Sequence, residues 1–122
     1  MSETLSEKRQ RFTHDVALLI LQAEKLGYQA ALDQVKRTQA EADANAASGA
    51  GIRNSLHLIG LACDLLLYQG GRYLMASSDY KLLGDWWKAL GDGHCWGGDF
   101  KDKVGNAKPD GNHFSIEDGG IR

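Results

Sequence analysis

Two cysteines and a single proline are all that 122 residues contain, and no apolar run comes near the length of a bilayer span. Cys63 and Cys95 are too few for a disulfide framework, and Cys63 falls inside the most apolar stretch, so both are expected to be free thiols. The absence of about 18 consecutive apolar residues argues against a membrane helix, and no direct membrane binding is expected. Nor is there a Lys/Arg block: 14 basic residues stand against 16 acidic ones, for a formal net charge of −2, so no nucleic-acid partner is expected. The segment from Met1 to Arg11 is charged and lacks the apolar core of an export signal, which implies synthesis in the cytosol without a signal peptide. Repeats, low-complexity tracts and dividing linkers are missing too. Residues 1–122 therefore read as one domain with a single core, a monomer by default.

What is present begins with Phe12, Val16, Leu19, Ile20, Ala23 and Leu26, which recur at helical spacing ahead of Gly27. They predict an amphipathic helix from about Leu5 to Leu26. Tyr28 to Lys36 is read as a short strand leading to Arg37. Thr38-Gln-Ala-Glu41 has the form of a capping box, opening an Ala-rich helix to about Ala47. After a flexible connector, Gly49 to Asn54, the run Leu61 to Tyr68 predicts a buried strand that turns at Gln69-Gly70-Gly71 into a hairpin with Arg72 to Met75. Ser78 or Asp79 is expected to cap a further helix, whose stripe of Leu82, Leu83, Trp86, Trp87 and Leu90 is closed by Gly91. Cys95 to Phe100 reads as a short strand within a long loop, and Pro109 to Ile116 as a turn into a last strand.

Asp64 is the residue that demands an explanation. An ionised carboxylate in the middle of Leu61 to Tyr68 costs several kcal/mol, roughly, unless it meets a cation or donors or is returned to water. On a strand, Leu61, Cys63, Leu65 and Leu67 share one face and Ala62, Asp64, Leu66 and Tyr68 the other. His57 lies seven residues before Asp64, across Gly60, a residue that can turn the chain back. A neutral imidazole nitrogen and a carboxylate oxygen are both ordinary ligands of zinc.

Ser55-x-His57-x-x-Gly60-x-Ala62-x-Asp64 resembles the signature of the zinc peptidases that include D-Ala-D-Ala carboxypeptidases, dipeptidases and the L-alanyl-D-glutamate endopeptidases of phage endolysins. The resemblance implies a Hedgehog/DD-peptidase-like α+β fold, a small antiparallel sheet with helices packed on one side. It also implies a second motif, acidic residue-x-x-His, here Asp110-Gly-Asn-His113. His113 then completes a zinc site with His57 and Asp64, and Asp110 serves as general base. Carboxypeptidases and dipeptidases typically have Glu at the acidic position, whereas the phage endopeptidases can have Asp. Arg37-Thr38 matches the Arg-Ser or Arg-Thr pair that contacts the scissile carbonyl in relatives, although Lys36 stands where an aromatic often precedes the Arg. Ser55 is assigned to hold a ligand in orientation, and Trp96, in Trp96-Gly-Gly-Asp-Phe100, is a candidate cleft residue that could equally serve packing.

The expected activity is metal-assisted hydrolysis of the L-alanyl-D-glutamate bond in the peptidoglycan stem peptide by a phage or prophage endolysin reaching the wall through holin-type release. D-Ala-D-Ala carboxypeptidase activity is the alternative within that class, and a non-enzymatic zinc-stabilised cell-wall binding module the alternative outside it. Each residue also has an ordinary reading. His57 can be a loop histidine, Asp64 a partner of Arg53 or Arg72, His113 a strand-edge residue, Asp110 a turn residue after Pro109, and Arg37 a solvated charge.

Overall fold

Ala62–Gln69 forms the strand on which the sheet is assembled, and its burial alternates as period two requires. Cys63, Leu65 and Leu67 are fully buried, while Asp64, Leu66 and Tyr68 on the other face are only partly covered. In this computed structural model, which describes residues 3–33, 56–102 and 104–122, that strand is β2. The others are β1 (Gln29–Leu32), β3 (Arg72–Tyr73), β4 (His94–Trp96) and β5 (His113–Ile116); the helices are α1 (Leu5–Lys25) and α2 (Lys81–Lys88). The sheet runs β1-β2-β5-β4 with β3 also on β2, and every pairing is antiparallel.

α1 starts at a capping box that was not anticipated: the Thr4 hydroxyl accepts from the Glu7 amide at 3.1 Å, and the Glu7 carboxylate accepts from the Thr4 amide at 3.0 Å. Phe12, Val16, Leu19 and Ala23, three or four residues apart, form its buried face. Phe12 meets Trp87 of α2 edge-on at 5.9 Å, and Trp87 meets Phe114 of β5 at the same distance, so one aromatic ring joins both helices to the sheet. Both cysteines are free.

Some expectations fall on residues the structure does not describe, and others are corrected. β1 ends at Leu32, and the rest of the strand expected to Lys36 runs into residues outside the described part of the chain. The Thr38 capping box, the Ala-rich helix and the connector from Gly49 to Asn54 lie there as well. α2 has no side-chain cap; a 3-10 turn, Ser77–Tyr80, runs straight into it, and the Asp79 carboxylate accepts the Ala76 amide instead. Leu82 is 63% exposed and Leu90 36%, because an eight-residue helix turns only Leu83, Gly84 and Trp87 fully inward. The helix stops at Ala89 rather than Gly91. β4 ends at Trp96, after which Gly97–Asp99 winds as a 3-10 turn.

Candidate metal centre

His57 sits on a 3-10 turn, Leu56–Ile59, anchored by the buried Leu56 side chain and by the Leu61 amide donating to the Leu56 carbonyl at 3.0 Å. Gly60 then takes φ +74°, a value open to glycine, and the chain reverses so that the imidazole returns over β2. Asp64 and His113 are register partners across the β2–β5 ladder, and Leu65 donates to the Asn112 carbonyl at 2.8 Å to hold that register. A turn and two strands thus deliver one ligand atom each.

His57 Nε2 lies 3.5 Å from Asp64 Oδ1, and His113 Nδ1 lies 3.6 Å from the same oxygen. All three atoms lie within 4.8 Å of one another. In a tetrahedral zinc shell with bonds of about 2.0–2.1 Å, ligand atoms stand roughly 3.3 Å apart, so the spacing fits a metal with little adjustment. Asp64 Oδ1 is a buried oxygen with no hydrogen-bond partner among the described residues, as suits an atom aimed at a cation. The imidazole rings meet edge-on at 5.3 Å. His113 Nε2, on the far side of its ring, is buried near Phe100, whose ring centre is 5.1 Å from that of His113, and has no hydrogen-bond partner among the described residues. Two imidazoles and one carboxylate are a donor set that zinc accepts, and among the described residues no fourth His, Cys, Asp or Glu joins them.

Burial works against the Asp64 charge, but attraction to the His113 and His57 ring nitrogens, 3.6 and 3.5 Å from Oδ1, outweighs it and holds the carboxyl at about 2. Asp110 behaves oppositely. Desolvation pushes its carboxyl above the ordinary value; His113 and His57 oppose the rise and the Asp64 charge adds to it. Asp110 keeps one side open to solvent and lines a pocket of about 190 Å³ with Tyr73, Met75, Ser77, Tyr80 and Pro109.

The structure therefore brings His57, Asp64 and His113 together, with Asp110 close enough to feel all three. Arg37 and Ser55 lie outside the described residues. Trp96 is only 6% exposed; it reaches the site through its indole N–H, which donates to the Gly111 carbonyl at 2.7 Å. Ser77, whose hydroxyl accepts the Gly111 amide at 3.0 Å, was passed over because no periodicity or motif marks it.

No protein-family model matches the chain, and no curated protein does. Among solved structures, the L-Ala D-Glu endopeptidase ChiX of Serratia marcescens is similar to it with a TM-score of 0.65 and 21% identity, covering 84% of this chain and 78% of the other. The vancomycin-resistance D,D-pentapeptidase VanY of a VanB-type cassette, solved in complex with Zn(II), has a TM-score of 0.56 and 17% identity, covering 87% and 70%. These likenesses establish the fold as the expected Hedgehog/DD-peptidase type.

Proposed function

We propose that the chain is a zinc-dependent peptidoglycan peptidase that hydrolyses the L-alanyl-D-glutamate bond of the stem peptide, as a phage or prophage endolysin does. The observation that carries this reading is the convergence of His57 Nε2, Asp64 Oδ1 and His113 Nδ1, with Asp110 one turn before His113. Zinc held by those three atoms supplies a Lewis acid that polarises a carbonyl and brings the pKa of water down to about 7. Asp110 accepts the proton of the attacking water as the C–O bond forms and delivers it to the leaving amine as the C–N bond breaks. Arg37 is assigned to the developing oxyanion, a contact worth roughly 3 kcal/mol, and Ser55 to the orientation of a ligand; both assignments rest on the motif resemblance.

The likeness to an endopeptidase and the Asp at position 110 favour the L-alanyl-D-glutamate bond. The likeness to a D,D-pentapeptidase keeps cleavage next to a D-Ala terminus as the second reading. A binding module is disfavoured, since it has no use for a carboxyl of raised pKa beside a three-ligand site. The enzyme acts as a monomer on the wall after release through a holin-type pore. Purified peptidoglycan digested by the zinc-loaded protein, with muropeptides read by mass spectrometry, tests the proposal. New D-Glu amino termini that chelation abolishes and zinc restores are expected; freed D-Ala selects the second reading, and no cleavage overturns both.

A further inference from the structure

Among the described residues no side chain or backbone group hydrogen-bonds the Asp110 carboxylate, and none of them fixes its direction at the tip. Its aim must come from the backbone that carries it. That backbone is held at successive points: Asp110 donates its amide to the Gly97 carbonyl at 2.8 Å, and Asp110 in turn accepts from the His113 amide at 3.1 Å. Between them the Gly111 peptide is gripped on both sides by side chains from separate elements. Its N–H donates to Ser77 Oγ at 3.0 Å, and its carbonyl accepts from Trp96 Nε1 at 2.7 Å.

Trp96 is itself seated without freedom. Its ring fills a slot whose walls are Gly84 of α2 and Gly98 of the following turn; a Cβ at either position would run into the indole. Lys88 Nζ stands 5.6 Å above the ring and pairs with Asp99 at 2.7 Å, fastening the Gly97–Asp99 turn to α2. Neither anchor is a ligand of the proposed zinc site, so the loop is held before any metal or substrate arrives.

We infer that Ser77 and Trp96 are positioning residues for Asp110, clamping the Gly111 peptide so that the carboxyl is presented at a fixed distance from the His57–Asp64–His113 group. The inference rests on the reading of Asp110 as the proton carrier. Misplacing such a group by about 1 Å is enough to cost on the order of a hundredfold in rate without touching the metal.

Ser77→Ala and Trp96→Phe each remove one side of the grip, and Ser77→Thr keeps the hydroxyl. In both removal variants kcat on a soluble stem peptide is expected to fall about ten- to a hundredfold, with zinc stoichiometry and KM unchanged. Ser77→Thr is expected to retain turnover. As a readout apart from activity, the Gly111 amide of Ser77→Ala should exchange its hydrogen about tenfold faster than in the parent, with and without zinc, while β2 and β5 amides stay protected. Undiminished kcat in Ser77→Ala, or a loss confined to KM, overturns the inference; the second result would make Ser77 a substrate contact in the pocket. Should Trp96→Phe fail to fold, Ser77→Ala and its exchange rate decide alone. Asp110→Asn separates the two levels. If that variant loses turnover while Ser77→Ala does not, the clamp fails and the base assignment stands; if Asp110→Asn turns over normally, the base assignment fails and the clamp with it.

Discussion

Asp64 and His113 face each other across the β2–β5 ladder, Oδ1 to Nδ1 3.6 Å apart, so the sheet register itself sets the spacing of two of the three ligand atoms. A slip of one residue in either strand would turn that strand's ligand to the opposite face and part it from the other. The geometry is thus built by the backbone and not by a flexible loop, and it makes the carboxylate sensitive to substitution. Asp64→Asn keeps the shape but removes the charge between two imidazoles. Zinc affinity, measured by competition with a chromophoric chelator, is expected to fall about a hundredfold or more, since even indirect partners of a metal site are worth ten to a hundred. In the parent, free zinc at about 100 times its dissociation constant adds roughly 2.7 kcal/mol to stability and raises the melting temperature by several degrees. An identical melting temperature with zinc and with chelator would remove the metal from the account.

Asp110 must be ionised to accept a proton, and desolvation raises its pKa above the usual 3.8. In the metal-free protein the Asp110 carboxyl is therefore expected to titrate above 3.8, followed by NMR, and bound zinc, as an added positive charge, is expected to draw that titration downward. A metal-free Asp110 that titrates below 3.8, or one that zinc does not move, would separate this carboxyl from the His57–Asp64–His113 group.

Two adjacent tryptophans give a test of the core. Trp87 is fully buried, donates its indole N–H to the Ser115 carbonyl at 3.0 Å and meets Phe12, Phe114 and His94 edge-on, whereas Trp86 is only partly covered. Trp87→Ala is expected to lose about 3–5 kcal/mol in urea unfolding, and Trp86→Ala about 1 kcal/mol. Equal losses would show that the inward face of α2 is misplaced.

Much of this was legible in the chain because β2 writes a period of two in large aliphatic residues, with a carboxylate on the less covered face, and because Gly60 marks the reversal that returns His57. α1 was equally plain from the spacing of Phe12, Val16, Leu19 and Ala23. Sequence reasoning failed where burial depends on partners distant in the chain. His94 has no motif around it in the sequence, yet it lies in β4 and is 7% exposed, since its partner Asp15 is on α1. Trp96 reads equally as a cleft or a packing residue, and only the fold shows that Gly84 and Gly98 leave the space its ring occupies. Ser77 gives no local sign of its bond to Gly111, 34 positions away.

The His94–Asp15 pair yields the prediction that separates stability from chemistry. His94 Nε2 lies 2.7 Å from Asp15 Oδ2 and Nδ1 lies 3.2 Å from the Gly91 carbonyl, so one imidazole bridges α1, β4 and the turn after α2. Replacing it by Ala leaves a largely covered carboxylate without its partner and opens space beside Trp87, whose ring centre is 4.8 Å from that of His94. Breaking such a pair costs roughly 3 kcal/mol, so His94→Ala is expected to unfold at distinctly lower urea. Neither residue belongs to the His57–Asp64–His113 group, so zinc stoichiometry and kcat below the unfolding range should match the parent. Loss of bound zinc from folded His94→Ala would mean that β4 supports the metal ligands more directly than its pairing with β5 implies.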